Sequence, residues 1–224
     1  METNLADEFR NMLESYRDFL RSENIILTDD LRIETQVESL RDWSLIHSLD
    51  EFMEWYLDQK KNCTMRITDI PVRQCRGWRV DEETGDITHE SGEFFKVQGV
   101  RVSMSKEREV GEGGWDQPMV TQIGFDGGLL GLLRKRIDGI PHYLIEAKAE
   151  PGNPDLVQIS PTLQATFSNL KRAHGGKRPR FAELFEEPDK YNATVHFKQW
   201  MSEDGGRLHL KRNIINSLCL TIRF

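Results

Sequence analysis

Two neighbouring segments near the middle of the chain alternate polar and apolar residues, over residues 143–150 and 157–167. Successive side chains of a β-strand point to opposite faces, so each segment is predicted to be a strand with one polar and one apolar face. In the first strand the polar face carries charge. In the second it carries only uncharged groups. The two polar rows are Glu146, Lys148 and Glu150, and then Gln158, Ser160, Thr162, Gln164 and Thr166.

The uncharged row is unusual because a strand face in contact with water is normally richer in charge. Amides and hydroxyls both donate and accept hydrogen bonds, and they suit the hydroxyl groups of a sugar. An ordinary solvated face remains open, since Thr is a good strand former and Gln is tolerated on exposed faces. Pro161 interrupts the run and indicates an edge strand or a bulge. The pattern favours neither reading by itself.

Composition restricts the class of protein. The chain has 224 residues, with 30 Lys and Arg against 37 Asp and Glu and a net charge of −7, which argues against a nucleic-acid partner. Its 3 cysteines form no CxxC pair, and its histidines match no metal-ligand spacing, so neither a disulfide framework nor a metal site is expected. We see neither an export segment nor a run near the roughly 20 apolar residues of a membrane span. A cytoplasmic protein without a membrane partner is therefore expected.

Apolar spacing predicts a helix over residues 4–22, and Ser48 or Asp50 can cap a second helix over 50–61. The second helix is predicted to bury Phe52, Trp55 and Tyr56. Residues 28–43 lie between the two helices and are poorly patterned, so a loop with a short helical turn is expected there. Phe181–Leu184 is predicted to begin another short helix.

Short strands with glycine-rich turns dominate from residue 64, and the turns ETGD, IDGI and EPGNP predict hairpins. These features predict an α+β fold with a mixed, mostly antiparallel sheet, flanking helices and an N-terminal helical arm. The arm is assigned to residues 1–62 and packs on a module over 63–224, within one continuous domain. Strands are predicted within residues 65–72, 77–91, 92–104, 117–125, 129–150, 156–169 and 194–201.

The charged row is a candidate for acid–base chemistry. Side chains two residues apart on a strand stand about 7 Å apart, so Lys148 would lie between the carboxylates of Glu146 and Glu150. A neighbouring Lys lowers a carboxylate pKa and burial raises it, so such a group can tune a general base. The alternative is a solvated charge ladder, because surface ion pairs contribute little.

Anion sites and titratable histidines are less clearly marked. Arg101 interrupts an apolar strand and is the most suggestive of the arginines at 101, 134, 136, 172 and 178, whereas Arg134–Arg136 is predicted to be a solvated helix or turn face. The glycine-rich runs match no phosphate loop. His89 and His142 lie beside predicted strands and could act as acid or base, with a structural role equally open.

Taken in order, these motifs resemble a known family. The pattern GW-x(8)-I-x-H-x-SG-x-FF-x-V-x-GVRV begins at Gly77, and WDQPMVTQIGFDGGLLGLL begins at Trp115. AKAEPGN and QISPTLQATFSN follow, with His174–Gly175 after them. From about residue 50 to about residue 213 the chain resembles the NDP-hexose 2,3-dehydratases, bacterial enzymes of deoxysugar biosynthesis.

The resemblance implies a Nudix-like fold, a homodimer, and two similar modules in a full-length member. It implies a dTDP-4-keto-6-deoxyhexose substrate, whose C3 proton is acidic because it lies beside the C4 ketone. Loss of that proton and of the C2 hydroxyl gives an enol that becomes a 3,4-diketo-2,6-dideoxysugar. An NADPH-dependent 3-ketoreductase must intercept this product, while the dehydration itself needs no cofactor.

Two departures from the family pattern bear on these expectations. The chain has the length of one module, and its tail NIINSLCLTIRF is expected to leave the pattern after Asn213. A non-catalytic nucleotide-sugar-binding or partner module of a split or truncated dehydratase is therefore the alternative. The glutamate-rich Nudix box is absent, so diphosphate hydrolysis is not expected.

Joined to the resemblance, the residue patterns suggest roles. Glu150 or Glu146 would take the C3 proton, Lys148 would stabilise the enolate at O4, and His89 or His142 would protonate the departing hydroxyl. Arg101 would hold the diphosphate, and Trp78 or Trp115 could stack on the base. Gln158, Thr162 and Gln164 would hold sugar hydroxyls. The remaining candidate binding residues are Gln117, Gln122, Asn153, Ser160, Thr166 and Asn169.

Overall fold

The computed structural model describes residues 4–103, 113–122, 127–172 and 175–220. Within these ranges the long helices come first and the strands follow, which confirms the predicted α+β class. None of the helices there has the length and apolar character needed to cross a bilayer. Short 3-10 turns occupy Val72–Gln74 and Pro188–Tyr191. The helices are α1 Leu5–Ser22, α2 Asp30–Glu38, α3 Leu49–Lys61, α4 Phe167–Leu170 and α5 Ala182–Glu186.

The strands of the described residues form two sheets. The first has the order β1-β2-β3-β4-β10, and the second has the order β7-β6-β5-β11-β9, with β8 also paired to β5. The pairings are antiparallel except for β10 with β4 and β11 with β5. The strands are β1 Trp78–Val80, β2 Ile87–His89, β3 Phe95–Val102, β4 Trp115–Gln122, β5 Gly128–Ile137, β6 Ile140–Ala149, β7 Val157–Pro161, β8 Leu163–Thr166, β9 Ala193–Ser202, β10 Leu208–His209 and β11 Arg212–Leu220.

Several local predictions are confirmed. Asp138 and Gly139 both have positive φ in the β5–β6 hairpin, as the IDGI turn requires. Ser48, the first of the two proposed caps, forms a capping box with Glu51 at the start of α3. The short helix near residue 182 and the late strand β9 also form.

Three other local predictions are wrong. Residues 30–38 form the regular helix α2 instead of a loop, because Ile33 and Val37 recur at helical spacing and are buried against α1. Residues 65–72 form no strand. The helix α3 buries none of its residues, and it reaches the sheet through Tyr56, whose hydroxyl donates to the Val157 carbonyl at 3.1 Å.

The N-terminal arm is fixed to the second sheet by an apolar cluster and by a buried ion cluster. Phe9, Val37 and Trp43 of the arm pack with Ile140 of β6. The guanidinium of Arg134, on β5, is 1% exposed, and its Nη2 lies 2.6 Å from Glu34 and 2.7 Å from Glu38 of α2. The predicted solvated face at Arg134–Arg136 is therefore wrong for Arg134, because a buried guanidinium requires partner carboxylates.

A tyrosine and a second arginine complete this ion cluster. The Tyr143 hydroxyl donates to Glu38, and Arg136 pairs with the other oxygen of Glu34. Partial burial, followed by the bond to Glu38, raises the pKa of Tyr143 to about 12. The pKa of Arg134 is also raised, since bonds from Glu38 and Glu34 outweigh the desolvation that lowers it. The cluster fastens α2 to β5.

One edge of β5 is shared between two strands, and this produces a fork in the sheet. β6 pairs with β5 through Leu133–Ile137, and β8 pairs with it through Gly128–Gly131. Beyond Leu144, β6 leaves β5 and pairs with β7. Thr162 lies at the branch, where its hydroxyl accepts from the Leu133 amide at 2.9 Å and donates to the Leu144 carbonyl. The fork is therefore held open at a fixed place.

Helix α5 packs beside the fork. Its Phe185 lies so close to Gly131 that a Cβ on that glycine would stand 2.5 Å from the ring. Leu129, Leu163, Ala182 and Leu218 complete the core at this point. Close packing of α5 on the sheet thus explains why Gly131, the third glycine of the run GGLLGLL, has no side chain.

Candidate active-site cleft

The fork between β6 and β8 opens into a cleft of about 520 Å³. One wall is β6, another is β8, and the turn after α4 and the loop over residues 176–181 complete it. The structure brings these sequence-predicted site residues to the cleft: Glu146, Lys148, Thr162, Gln164 and Asn169.

The two polar rows predicted from the sequence face the same way. Glu146 pairs with Ser160, and Lys148 pairs with Gln158, in the antiparallel ladder of β6 and β7. Residues directly opposite each other share one face of a sheet, so the charged and uncharged rows are continuous. Strict alternation ends at Pro161, where β7 stops, and Ser160 is buried while Ile159 is 45% exposed. Gln158 is exposed and lies outside the cleft.

Lys148 is the cation on the β6 wall of the cleft. Its Nζ donates to the Gln164 carbonyl at 2.8 Å and lies 3.7 Å from Glu150 Oε1. Gln164 is held in turn by Ser160, whose hydroxyl donates to Gln164 Oε1 at 3.0 Å. An ammonium has three donors, so Lys148 keeps hydrogen-bonding capacity for a ligand while its position is fixed.

The two predicted glutamates differ in position. Glu146 lines the cleft and is exposed, whereas Glu150 lies outside the lining and is half-buried. Asn153 shapes the following turn, since its amide donates to the Lys148 and Leu156 carbonyls at 3.4 and 3.2 Å. Of the charged row, Glu146 and Lys148 are therefore the pair that can meet a ligand here.

A basic rim, defined as Arg172, Lys177 and Arg180, also lines the cleft. Arg172 was one of several arginines considered from the sequence, but Lys177 and Arg180 were missed. The signal that could have found them is the basic density of KRAHGGKRPR over residues 171–180. His174, part of the matched motif in this run, lies outside the described residues.

Phe181 closes this rim with an unusual backbone. Its φ is 63°, a left-handed conformation that costs a bulky residue free energy. The Arg180 guanidinium lies 5.4 Å from the centroid of its ring. Such strain is typical of functional sites, and here it turns the chain from the rim into α5.

Neither histidine predicted as an acid lies in the cleft. The Nε2 atom of His142 accepts from the Leu45 amide at 3.0 Å, and its Nδ1 is 3.0 Å from the Ile140 carbonyl. These bonds require the neutral ring with its proton on Nδ1, which ties His142 to the arm. His89 lies on the first sheet and contacts Ser91.

Other predicted binding residues also lie on the first sheet, away from the cleft. Arg101 makes two bonds to Asp116, at 2.9 and 2.8 Å, and its side chain is 80% exposed. Trp115 donates to Gln117, which donates to the Gly206 carbonyl, both at 2.7 Å. The expected diphosphate role of Arg101 therefore has no geometric support.

A second cavity, of about 300 Å³, lies between the two sheets. It is lined by Gln122, Thr166 and Asn169 from the predicted set, together with Phe94, Phe95 and Lys211. Trp78 packs against the two phenylalanines. Within the described ranges, no group of His, Cys, Asp and Glu side chains is arranged to hold a metal ion.

A comparison with protein-family models identifies the family of the chain. The NDP-hexose 2,3-dehydratase model matches residues 49–220. The chain belongs to the NDP-hexose 2,3-dehydratase family. The match covers every cleft residue named above and both sheets, and it continues to residue 220. The expectation that the family pattern ends after Asn213 is therefore wrong.

Curated relatives in this family are each described as a dTDP-4-dehydro-6-deoxy-alpha-D-glucopyranose 2,3-dehydratase. One from Streptomyces violaceoruber is 39% identical over 162 residues, covering 72% of this chain and 35% of the relative. One from Amycolatopsis orientalis is 36% identical over 167 residues, covering 73% and 34%. One from Saccharopolyspora spinosa is 37% identical over 164 residues, covering 73% and 32%. The chain spans about a third of the length of the relatives it matches.

Proposed function

We propose that the cleft binds a dTDP-4-keto-6-deoxyhexose and removes water across C2 and C3, as a hydro-lyase of deoxysugar biosynthesis. One observation carries this proposal: a carboxylate, Glu146, and an ammonium, Lys148, line the same cleft beside the amide of Gln164. The relatives' names supply the substrate, and the geometry supplies the groups that its chemistry needs.

Glu146 is the proposed base. The C3 hydrogen of a 4-ketosugar is acidic because the C4 carbonyl accepts the electron pair, so a carboxylate in contact with the sugar can remove it. Among the described residues of the cleft lining, Glu146 is the carboxylate available. Glu150, the other candidate, lies outside the lining of the cleft, and its Oε1 is 3.7 Å from Lys148 Nζ.

Lys148 is the proposed oxyanion stabiliser. Removal of the C3 proton moves negative charge onto O4, and a fixed cation lowers the free energy of that state more than that of the neutral ketone. The bond from Lys148 to the Gln164 carbonyl fixes the ammonium before substrate arrives. Its position is thus organised by the strands and not by the substrate.

Loss of the C2 oxygen completes the reaction. When the C3–H electron pair returns from the enolate, the C2–O bond breaks and the oxygen leaves as water once it is protonated. Glu146 carries the abstracted proton at that moment and can deliver it on the same face of the ring. This assignment replaces His89 and His142, since neither lines the cleft.

The remaining groups bind the substrate. Gln164 and Asn169 offer amides to sugar hydroxyls, and the basic rim offers Arg172, Lys177 and Arg180 to the diphosphate. Thr162 acts by holding the fork, because its hydroxyl is already used by Leu133 and Leu144. The basic rim takes the role that the sequence suggested for Arg101.

The wider assignments are part of the same proposal. The two sheets and their fork fit a Nudix-like module over residues 63–224 with an arm over 1–62. A second copy or a second homologous module would supply the family's paired arrangement, and a 3-ketoreductase would consume the diketo product. The free thiols Cys63, Cys75 and Cys219 are consistent with a reducing, cytoplasmic setting.

A second candidate function is a non-catalytic nucleotide-sugar-binding module. The observation that favours it is coverage, since the chain spans only about a third of the length of its relatives. Such a module would bind the substrate in the same cleft without catalysing a reaction.

The test is incubation of the chain with dTDP-4-keto-6-deoxyglucose, a 3-ketoreductase and NADPH, followed by analysis for a 2-deoxy product. Formation of that product by the wild type and its loss in Glu146→Gln supports the dehydratase. Glu150→Gln separates the two candidate bases, and Glu83→Gln, on the exposed β1–β2 turn, is the matched control. Tight binding of the sugar nucleotide without product supports the binding module.

A further inference from the structure

Ser160 places a buried hydroxyl behind the lining of the cleft. It lies on β7 opposite Glu146 of β6, is 6% exposed, and is absent from the residues that line the cleft. Its hydroxyl donates to Gln164 Oε1 at 3.0 Å, which is the one hydrogen bond that this hydroxyl makes among the described residues. A buried hydroxyl needs an acceptor for its proton, so this contact determines which end of the Gln164 amide turns towards Ser160.

The orientation of the amide decides what Gln164 can offer to a ligand. A side-chain amide accepts through its oxygen and donates through its NH2 group. Ser160 occupies Oε1, and no residue in the part of the chain that the structure describes accepts from Nε2. The main-chain carbonyl of Gln164 accepts from Lys148 Nζ at 2.8 Å. Both carbonyl oxygens of Gln164 are therefore engaged within the protein, and its side chain has only N–H groups left for the cleft.

Lys148 supplies further donors at the same residue. Its ammonium is fixed on the Gln164 carbonyl, and two of its three donors remain after that bond. Gln164 and Lys148 both line the cleft. We call the ammonium of Lys148 and the NH2 group of Gln164 the donor pair. Two donors held at one place suit an oxygen that accepts two hydrogen bonds and carries no proton.

A ketone and a hydroxyl meet the donor pair differently. A ketone oxygen accepts from both donors and brings no proton of its own. A hydroxyl at the same carbon brings a proton that needs an acceptor, and both carbonyl oxygens of Gln164 are already engaged. A polar group left without its partner in a binding site reduces affinity, so the donor pair favours the ketone. The same two bonds become stronger when the ketone oxygen gains negative charge.

We infer that Ser160 is a positioning residue, which holds the Gln164 amide so that the donor pair meets the C4 ketone oxygen and disfavours a 4-hydroxyl sugar. The inference rests on the proposed function and deepens it by naming the feature of the hexose that is selected. It refines the contact proposed above for Gln164, which then donates to O4. The family assignment and the relatives' names give no role to Ser160.

Ser160→Ala in the full chain tests this role. The coupled reductase assay gives kcat and KM for dTDP-4-keto-6-deoxyglucose and the inhibition constant of dTDP-6-deoxyglucose, which has a hydroxyl at C4. In the variant the amide can rotate and present Oε1 to that hydroxyl. The ratio of the inhibition constant to KM should therefore fall by about tenfold, and kcat should fall by a similar factor, as expected for one hydrogen bond.

Two further serine variants make this result specific. Ser160→Thr keeps the hydroxyl and should restore both the ratio and kcat. Ser22→Ala is the matched control, because it removes an exposed hydroxyl that donates to the Phe19 carbonyl, far along the chain from the cleft strands. It should behave as the wild type does in both measurements.

Gln164→Glu tests the donor itself. The carboxylate keeps the length of the side chain and an acceptor for Ser160, but it has no N–H group at neutral pH. We expect kcat to fall by about 10²-fold, the usual effect of losing one oxyanion donor, with a melting temperature close to that of the wild type. Wild-type kcat in this variant would overturn the donor role of Gln164.

The outcomes separate the inference from the proposed function. An unchanged ratio in Ser160→Ala, with or without a loss of kcat, would overturn the role of Ser160 and leave the proposed function standing. A wild type that binds neither sugar nucleotide would overturn the proposed function itself. If the wild type binds both without turnover, calorimetry measures the same ratio. Thermal melting identifies a Ser160→Ala variant that fails to fold, and Gln164→Glu then carries the test.

Discussion

Arg134 and Lys148 are both cations on neighbouring strands of the same sheet, yet their surroundings are opposite. Arg134 on β5 is 1% exposed and is paired with two carboxylates of α2. Lys148 on β6 has a side chain that is 24% exposed, with one carbonyl in contact and a carboxylate at 3.7 Å. The first cation is paired with two carboxylates through its Nη2 atom, and its buried Nε and Nη1 atoms have no hydrogen-bond partner among the described residues. The second is held in place by one hydrogen bond beside the cleft.

The comparison shows that the role of a cationic side chain on a strand depends on whether another element buries it or a cleft leaves it accessible to a ligand. A buried cation with paired carboxylates fastens one element to another, and its removal leaves buried charge behind. A cation that opens into a cleft is available to stabilise charge on a ligand. Mutations should therefore separate the two sites into one that governs stability and one that governs turnover.

Lys148→Met should produce the largest effect. We expect turnover to fall by about 10²- to 10³-fold, the usual range for loss of one oxyanion-stabilising group. The midpoint of urea unfolding should change little, because Lys148 makes one hydrogen bond to backbone. Rates come from the coupled reductase assay. Wild-type turnover in the folded variant would remove Lys148 from the mechanism.

Arg134→Met should mainly reduce stability. Glu34 and Glu38 would be left without their buried partner, which typically costs about 3–5 kcal/mol of unfolding free energy. Urea unfolding followed by circular dichroism measures this loss. The triple variant with Glu34→Gln and Glu38→Gln should recover part of it. Equal stability of Arg134→Met and wild type would show that the arm is not fastened at this point.

Thr162→Val tests the branch point between the two sites. Leu133 and Leu144 would each lose a hydrogen-bond partner, and a cost of about 1–3 kcal/mol is expected for such buried groups. Turnover should also fall, because the fork determines the separation of the two cleft walls, β6 and β8. Thr162→Ser keeps the hydroxyl and is the matched control. Identical melting curves for the Val and Ser variants would contradict the bridging role.

Tyr143→Phe tests the ion cluster through pH. The folded-state pKa of Tyr143 is raised to about 12, above the value of the unfolded chain. Its contribution is therefore complete below about pH 10 and is lost as pH rises towards about 12. The difference in unfolding free energy between wild type and variant should shrink across that window. If the difference in unfolding free energy did not change with pH, ionisation of Tyr143 would not be coupled to stability.

Arg101→Ala should have the smallest effect. Its pair with Asp116 is exposed, and such pairs contribute about 0–1 kcal/mol. Neither dTDP binding nor turnover should change, which calorimetry and the reductase assay would show. A marked loss of affinity would restore the diphosphate role that the sequence suggested.

The sequence predicted local structure and the cleft strands well. Period-two patterning identified β6, and turn chemistry located the hairpin at Asp138. Residues 157–167 were predicted as one strand, but they form β7 and β8, which pair with different strands. In the register of β6 with β7, Glu146 and Lys148 share a face with Ser160 and Gln158, as the two alternating patterns predicted. These features are local, and local rules are sufficient for them.

The sequence did not predict contacts between distant elements. Nothing within β5 marks Arg134 as buried, because Glu34 and Glu38 lie about a hundred residues earlier in the chain. His142 was read as a possible acid, but its partner is the distant amide of Leu45. The basic rim had a local signal in KRAHGGKRPR, but only the fold places that loop beside β6. Loop residues gain their roles only when the chain folds around the fork.

The shared edge of β5 has a consequence for engineering this module. Both walls of the cleft, β6 and β8, pair with the same edge of β5. Their separation is therefore set by the register of these two pairings and by the hydroxyl of Thr162, and not by the size of the lining side chains. A designer could therefore exchange Gln164 or Asn169 to admit a differently substituted hexose without widening the opening. Inserting one residue between β7 and β8 would instead move every contact on that wall together.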